Sequence, residues 1–162
     1  MLVDCDLRNP TLSRAIAPDA KAGILEVLSG EAALDEAVTK ETYLSMAFLP
    51  VLSKARVASS SEVLSSSAMK RLFERLRYSY DYIIVDLPPL APLADTRATT
   101  NLVDSYLFVV DWGRTSTAIV QHALSRAPRV YEKTVGAVLN KVNMDALSLY
   151  DGSLGKYYHD KA

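Results

Sequence analysis

Short apolar runs alternate along the chain with longer stretches in which apolar positions recur at helical spacing, the pattern of strands joined by helical crossovers. Five strands are predicted, over residues 1–4, 46–51, 82–86, 106–110 and 135–140. Ile83-Ile84-Val85 and Leu107-Phe108-Val109-Val110 are apolar at every position, as expected of strands covered on both faces. The clearest helix begins near Ser67: Met69, Leu72, Phe73 and Leu76 share one face, and Lys70, Arg71, Glu74, Arg75 and Arg77 take the remainder. A second is predicted over 117–127, ending near Pro128, with Ile119, Val120, Ala123 and Leu124 toward the sheet. Between the first two strands, 23–28 reads as a short helix stopped by Gly30, and 34–38 as a brief turn. The serines of 59–61 and 65–67 form a polar stretch before the long helix. The expected fold is α/β, a three-layer arrangement of a mainly parallel sheet flanked by helices. Residues 1–144 form the domain and 145–162 a poorly ordered tail.

Composition narrows the function. With 162 residues, 49% of them apolar, the chain can bury a core of ordinary domain size. Eighteen Lys and Arg against nineteen Asp and Glu leave a net charge of −1, so no overall positive field draws in nucleic acid. The single cysteine, Cys5, makes no internal disulfide and fits a reducing compartment. Lying between two acids, it is read as a small buried hydrophobe. No apolar run approaches the roughly 20 residues needed to cross a bilayer. His122 and His159 have no ligand set around them, and Trp112 is read as packing.

Chemistry is sought where strands end, because ligands of open parallel sheets sit beyond the carboxyl ends. The first strand runs into Asp4-Cys5-Asp6-Leu7-Arg8, the third into Asp86-Leu87-Pro88-Pro89, and the fifth into Asn140-Lys141. In extended chain Asp4, Asp6 and Arg8 point to one side. Carboxylates so placed repel unless a cation or proton lies between them, and Mg²⁺ commonly takes one or two carboxylates together with phosphate oxygens. Asp86 ends a different strand within reach of the same ion. Taken singly, each acid could equally be a turn former or helix cap.

Leu2-Val3-Asp4-Cys5-Asp6-Leu7-Arg8 resembles the second signature, Walker A′, of the bacterial tyrosine kinases of polysaccharide co-polymerase systems, and Asp81 to Pro89 resembles their Walker B. The blocks 23–30, 61–66, Ala94-Asp95-Thr96 and 136–140 are similar as well. Arg8-Asn9-Pro10 and 20–28 look most like the succinoglycan-type exopolysaccharide branch. The resemblance implies a deviant P-loop NTPase fold of the SIMIBI-like class and an ATP- and Mg²⁺-dependent kinase that phosphorylates itself on tyrosine. It implies that Asp4 and Asp86 organise Mg²⁺ and its waters, with Asp6 near the acceptor phenol; which of Asp4 and Asp6 is the base stays open. Arg8 either stabilises the transferring phosphate or pairs with Asp6. Asn140 matches an adenine-binding position, and Gly113 and Arg114, with Thr115, follow the fourth strand toward the same opening. Tyr150, Tyr157 and Tyr158 stand as phosphoacceptors between neighbouring subunits of a homo-oligomer. The implied partners are those subunits, a membrane-spanning co-polymerase portion, and the polysaccharide polymerase and export machinery at the cytoplasmic face of the inner membrane, with no nucleic acid.

The family's phosphate loop is missing: no Gly-x-x-x-x-Gly-Lys occurs, and Gly155-Lys156-Tyr157 has neither the preceding strand nor the hydroxyl. The chain therefore reads as a partial form of a longer kinase, without the P-loop strand and inactive alone. Its absence should leave apolar faces and strand edges uncovered. Two other readings compete, a cell-division or partition-type ATPase and a non-catalytic adaptor or remnant of the kinase.

Overall fold

A computed structural model describes residues 1–41, 46–52, 59–91 and 95–146. The chain divides into two compact units, Met1–Asp104 and Ser105–Ala162. In the first unit the elements are β1 (Leu2–Asp4), α1 (Thr11–Ile16), α2 (Ile24–Ser29), α3 (Leu34–Ala37), β2 (Thr39–Glu41), β3 (Met46–Leu49), α4 (Ser60–Ser65), α5 (Ser67–Ser79), β4 (Ile84–Asp86) and α6 (Asp95–Ala98). The second contains β5 (Tyr106–Asp111), α7 (Thr117–Ser125), α8 (Pro128–Glu132) and β6 (Thr134–Asn140).

The first sheet has the order β2-β3-β1-β4, with β1 parallel to both neighbours and β2 antiparallel to β3. Register sets Leu2 beside Phe48 and Ile84, and Asp4 beside Asp86. Side chains alternate across a strand. Val3, Cys5, Leu7, Leu49 and Val51 therefore join one core cluster, which α5 completes with Met69, Leu72, Phe73 and Leu76. Asp4 falls on the opposite face. Burying each of these large apolar side chains contributes roughly 1.5–3 kcal/mol. The α5 helix starts where the Ser66 hydroxyl accepts the Met69 amide, and its Lys70, Arg71, Glu74 and Arg75 are exposed as the pattern predicts. Gly30 ends α2 in the left-handed region at φ 81°. Gly23 is required for a different reason. The Ile24 amide bonds the Pro50 carbonyl at 2.8 Å, and a Cβ on Gly23 would collide with that carbonyl oxygen.

In the second unit β5 and β6 pair in parallel, in register from Leu107–Gly136 to Asp111–Asn140 with an irregularity between Tyr106 and Leu107. Tyr106 and Val110 are buried, as are Ala123, Ala127 and Val130 of the helical segment, whereas Leu107 and Val109 are exposed.

The α/β class with a mainly parallel sheet is as expected, but several local details differ. Six strands, not five, occur among the described residues. The additional strand, Thr-Lys-Glu, has no apolar residue and exists through its antiparallel pairing with β3. Strand β4 begins only at Ile84, leaving Tyr82 exposed. The polar serine stretch forms α4, and α1 and α6 were not expected. Pro128 opens α8 at its first turn as well as closing α7, because proline lacks the amide that a first turn leaves unused. Ile119 is exposed instead of facing the sheet.

Candidate functional site

The parallel pairing of β1 with β4 aligns the ends of both strands. Asp4 and Asp86 are therefore direct neighbours across the sheet, and the Cys5 amide continues the ladder by bonding the Asp86 carbonyl at 2.8 Å. Two acids predicted from separate segments are thus brought together. Asp6 follows in the β1 exit, and its Oδ1 accepts the Asn9 amide at 3.0 Å, turning the chain toward α1.

The three carboxylates differ in environment. Asp4 is fully buried. Its Oδ1 accepts the Asp6 amide at 3.0 Å, and its Oδ2 accepts the Ser13 amide at 3.0 Å and the Ser13 hydroxyl at 2.6 Å. The Ser13 hydroxyl in turn accepts the Val51 amide at 2.8 Å. Asp4 thereby ties together the β1 exit, the first helix and the β3 exit. Its two oxygens are thus engaged by three donors, and no surface of it reaches solvent. Asp86 is half-buried, and no described residue donates to its carboxylate. Burial, followed by the charges of Asp4 and Asp6, raises its pKa above the ordinary carboxylate value. Cys5, fully buried behind the acids, has its thiol pKa pushed far up by burial and then by Asp4 and Asp86, which makes it the inert hydrophobe expected.

Arg8 does not pair with Asp6. Its Nε donates to Asp95 Oδ2 at 2.6 Å, and its Nη2 lies 3.5 Å from Oδ1. Asp95 is 1% exposed and also accepts the Ser60 hydroxyl at 2.8 Å. Burial alone would raise its pKa, but the hydrogen bonds from Arg8 and Ser60 and the charge of Arg8 outweigh that and hold it low. Asp95 and Ser13 were not singled out for this role by the sequence. The available signal was slight, a serine soon after the Asp-x-Asp segment and an acid at a helix start.

Asn140, Gly113 and Arg114 lie in the second unit. There Asn140 ends β6 beside Asp111, and its carbonyl oxygen Oδ1 accepts the Lys141 amide at 2.9 Å. Gly113 has φ 74°, which lets the Arg114 and Thr115 amides turn back to the Asp111 carbonyl. Lys141 Nζ pairs with Asp111 at 3.0 Å. Tyr150, Tyr157 and Tyr158 lie outside the described residues.

Among the described residues no three His, Cys, Asp or Glu side chains converge closely enough to hold a metal unaided. A cation here needs outside ligands. Mg²⁺ fits that condition, keeping water and phosphate oxygens beside one or two carboxylates; burial and, after it, the charges of Asp4 and Asp6 raise Asp86, and a cation would offset both. For a nucleotide the fit is partial, because these residues contain no Gly-x-x-x-x-Gly-Lys segment to receive its phosphates.

The AAA domain family profile matches residues 1–140. The chain belongs to that family. It is homologous to bacterial tyrosine kinases: it is 28% identical over 151 residues to the tyrosine-protein kinase YwqD of Bacillus subtilis (strain 168), covering 93% of this chain and 62% of the relative. It is 38% identical over 168 residues to the succinoglycan biosynthesis transport protein ExoP of Rhizobium meliloti (strain 1021), covering 98% of this chain and 21% of that protein. The chain thus spans about a fifth of one relative and six-tenths of the other. The crystal structure of the VpsO kinase domain superposes with a TM-score of 0.80 at 27% identity, over 88% of this chain and 70% of that one. The fold is that of P-loop NTPase-like tyrosine-kinase domains, and no helix among the described residues is long and apolar enough to cross a membrane.

Proposed function

We propose that the chain is the acid-bearing part of an autophosphorylating protein-tyrosine kinase domain that uses ATP and Mg²⁺ and controls exopolysaccharide polymerisation and export. The observation that carries this reading is the register of Asp4 with Asp86 at the carboxyl ends of adjacent parallel strands, with Asp6 on the following turn. Asp86, partly exposed and without a donor among the described residues, is the metal's protein contact, with Asp6 the second. Asp4 supplies charge from behind and holds the Asp6 backbone. When bound, the metal neutralises charge on the phosphates, which is most of what phosphoryl transfer asks of a protein. Asp6 lies toward the acceptor phenol and takes its proton. Arg8 is committed to Asp95, so its free guanidinium edge, not the whole group, is left for an anion.

In this reading the phosphate cradle comes from outside these 162 residues, and residues 1–144 are the kinase portion. Asn140, Gly113 and Arg114 serve the nucleotide base side, and Tyr150, Tyr157 and Tyr158 of the 145–162 tail are phosphoacceptors for neighbouring subunits. The assembly is a homo-oligomer attached through a membrane-spanning co-polymerase portion at the cytoplasmic face of the inner membrane, beside the polymerase and export machinery. The missing Gly-x-x-x-x-Gly-Lys motif favours a second reading, a non-catalytic adaptor that occupies the kinase assembly.

Phosphotyrosine mapping of the full polypeptide that carries this sequence separates the two. Label on the tail tyrosines, lost in Asp86→Asn, is the expected result. Label that survives in Asp86→Asn overturns the acid site, and no label on the unaltered polypeptide favours the adaptor.

A further inference from the structure

The two turns that carry the acids come from opposite ends of the first unit's sequence, and a single dipeptide touches both. Asp95 receives Arg8, from the turn that carries Asp6, at 2.6 Å. The next residue, Thr96, donates its hydroxyl to the Pro88 carbonyl, from the turn that follows Asp86, at 2.7 Å in buried surroundings. Ser60, at the start of α4, braces the same Asp95 oxygen at 2.8 Å. Asp95 and Thr96 are both buried, and an ionised carboxylate at that depth persists only when paired and hydrogen-bonded.

We infer that Asp95 and Thr96 are positioning residues, a clamp that fixes the gap between the Asp6 turn and the Asp86 turn and thereby the fit of a divalent cation between them. The consequence for the cation rests on the metal reading above; the clamp itself rests on the three hydrogen bonds. Pairing with Asp95 also keeps Arg8 off Asp6, its neighbour two residues away, so that the second acid of the cation reading is not already neutralised. Both turns are linked to α6, so loosening one attachment should be felt at the other.

The test uses the 162-residue chain with Mn²⁺ alone as probe, read by Mn²⁺ electron paramagnetic resonance, and amide hydrogen exchange read residue by residue. Thr96→Val removes the hydroxyl at nearly constant volume and Thr96→Ser retains it. The clamp predicts that Thr96→Val speeds exchange of the Asp6 and Asn9 amides, on the turn it does not touch, and weakens Mn²⁺ binding, each by about tenfold, the scale of one lost buried hydrogen bond. Thr96→Ser should match the unaltered chain in both. Arg8→Gln should speed exchange of the Cys5 amide, which bonds the Asp86 carbonyl of the opposite strand end, and Arg8→Lys should not restore it, because lysine lacks the side-on fork. Acceleration in Thr96→Val confined to 88–100, with the Asp6 turn unchanged, overturns the clamp. If instead the exchange coupling is present but the unaltered chain and Asp86→Asn take up Mn²⁺ equally, the clamp holds and the metal reading fails.

Discussion

The acid end of the first unit and the open face of the second are built from strands of the same apolar character but have different fates. In β1, Val3 and Asp4 are both completely buried although they point to opposite faces. In β5, Tyr106 and Val110 are buried on one face, whereas on the other Leu107 is 59% and Val109 57% exposed. Ile84 of β4, at 61%, belongs with the second group. The local sequence is equally hydrophobic in all three, so burial is decided by whether another element covers the face. The β1 exit, where Asp4 and Cys5 are completely buried, is also where the charged groups lie. An enclosed carboxylate holds its geometry because every oxygen must find a donor, and Asp4 finds three. Rigidity at the acid end and uncovered apolar surface at β5 are two outcomes of one requirement, that strands apolar on both faces need two covers.

Deleting core volume should separate the two regions most sharply. Phe73, 2% exposed, packs in the cluster that backs Val3 and Cys5. Phe73→Ala should cost the first unit about 3–5 kcal/mol in urea denaturation followed by amide exchange of β1. A loss below about 1 kcal/mol would mean that the enclosed end is no better packed than the open face. Gly23→Ala comes next. The added methyl meets the Pro50 carbonyl oxygen, a backbone atom that cannot yield without moving the β3 exit and, through Val51, the Ser13 hydroxyl that serves Asp4. Overpacking of this kind costs typically 1–3 kcal/mol. The same variant should speed exchange at the Val51 amide, and a neutral result would show that the close approach is not maintained in solution.

How much of this was legible in the sequence follows the same division. The strands that carry Asp4 and Asp86 and the face of α5 follow from periodicity, a property of neighbouring residues, whereas the joint action of Asp4 and Asp86 was what the family resemblance implied and their adjacency is set by the strand order. Strand β2 has no apolar signal and exists through pairing with β3, so periodicity passes over it. The alternation of Asp4 with Val3 tells which side a carboxylate takes but not how deep it sits; depth comes from Ser13 folding back at the start of α1. Arg8 meeting Asp95 across 87 positions is fixed by tertiary packing and leaves no local trace. The exposure of Leu107 and Val109 was unreadable in the opposite sense, since an uncovered apolar strand and a covered one have the same letters.

Asp86 offers a smaller and more specific test of the enclosed end. Its folded-state pKa is raised, so the folded chain holds the proton more tightly than the unfolded chain. Its ionisation therefore opposes folding, fully so above the raised value, and the penalty fades as pH falls through the ordinary carboxylate range. Asp86→Asn should accordingly raise Tm at pH 7 while abolishing Mn²⁺ uptake, with the gain shrinking toward pH 4. Because Asp86 is only half-buried, the gain should stay below about 1 kcal/mol, the scale of solvent-screened charge interactions. Adding Mg²⁺ should stabilise the unaltered chain and leave the variant unmoved, because a ligand stabilises only the state that binds it. A variant less stable than the unaltered chain at neutral pH would show that the carboxylate has a partner it cannot lose.

The smallest expected effect tests the open face. Val109→Thr exchanges a methyl for a hydroxyl at almost constant volume on a side chain that is more than half exposed. Within a closed core that exchange leaves a hydroxyl seeking a partner and costs on the order of 1–3 kcal/mol. On an uncovered strand face water supplies the partner, and surface changes of this kind stay within about 0.5 kcal/mol. Trp112, the single tryptophan, follows β5 directly, and its amide bonds the Asn140 carbonyl at 2.9 Å, so its fluorescence reports unfolding of the β5–β6 pair itself. A midpoint unchanged by Val109→Thr, together with a higher concentration before precipitation, is the expected outcome, since uncovered apolar strand surface drives association. A loss above about 1 kcal/mol would instead mean that another surface covers Val109 in solution, and the contrast between the enclosed and open strands would then be one of degree.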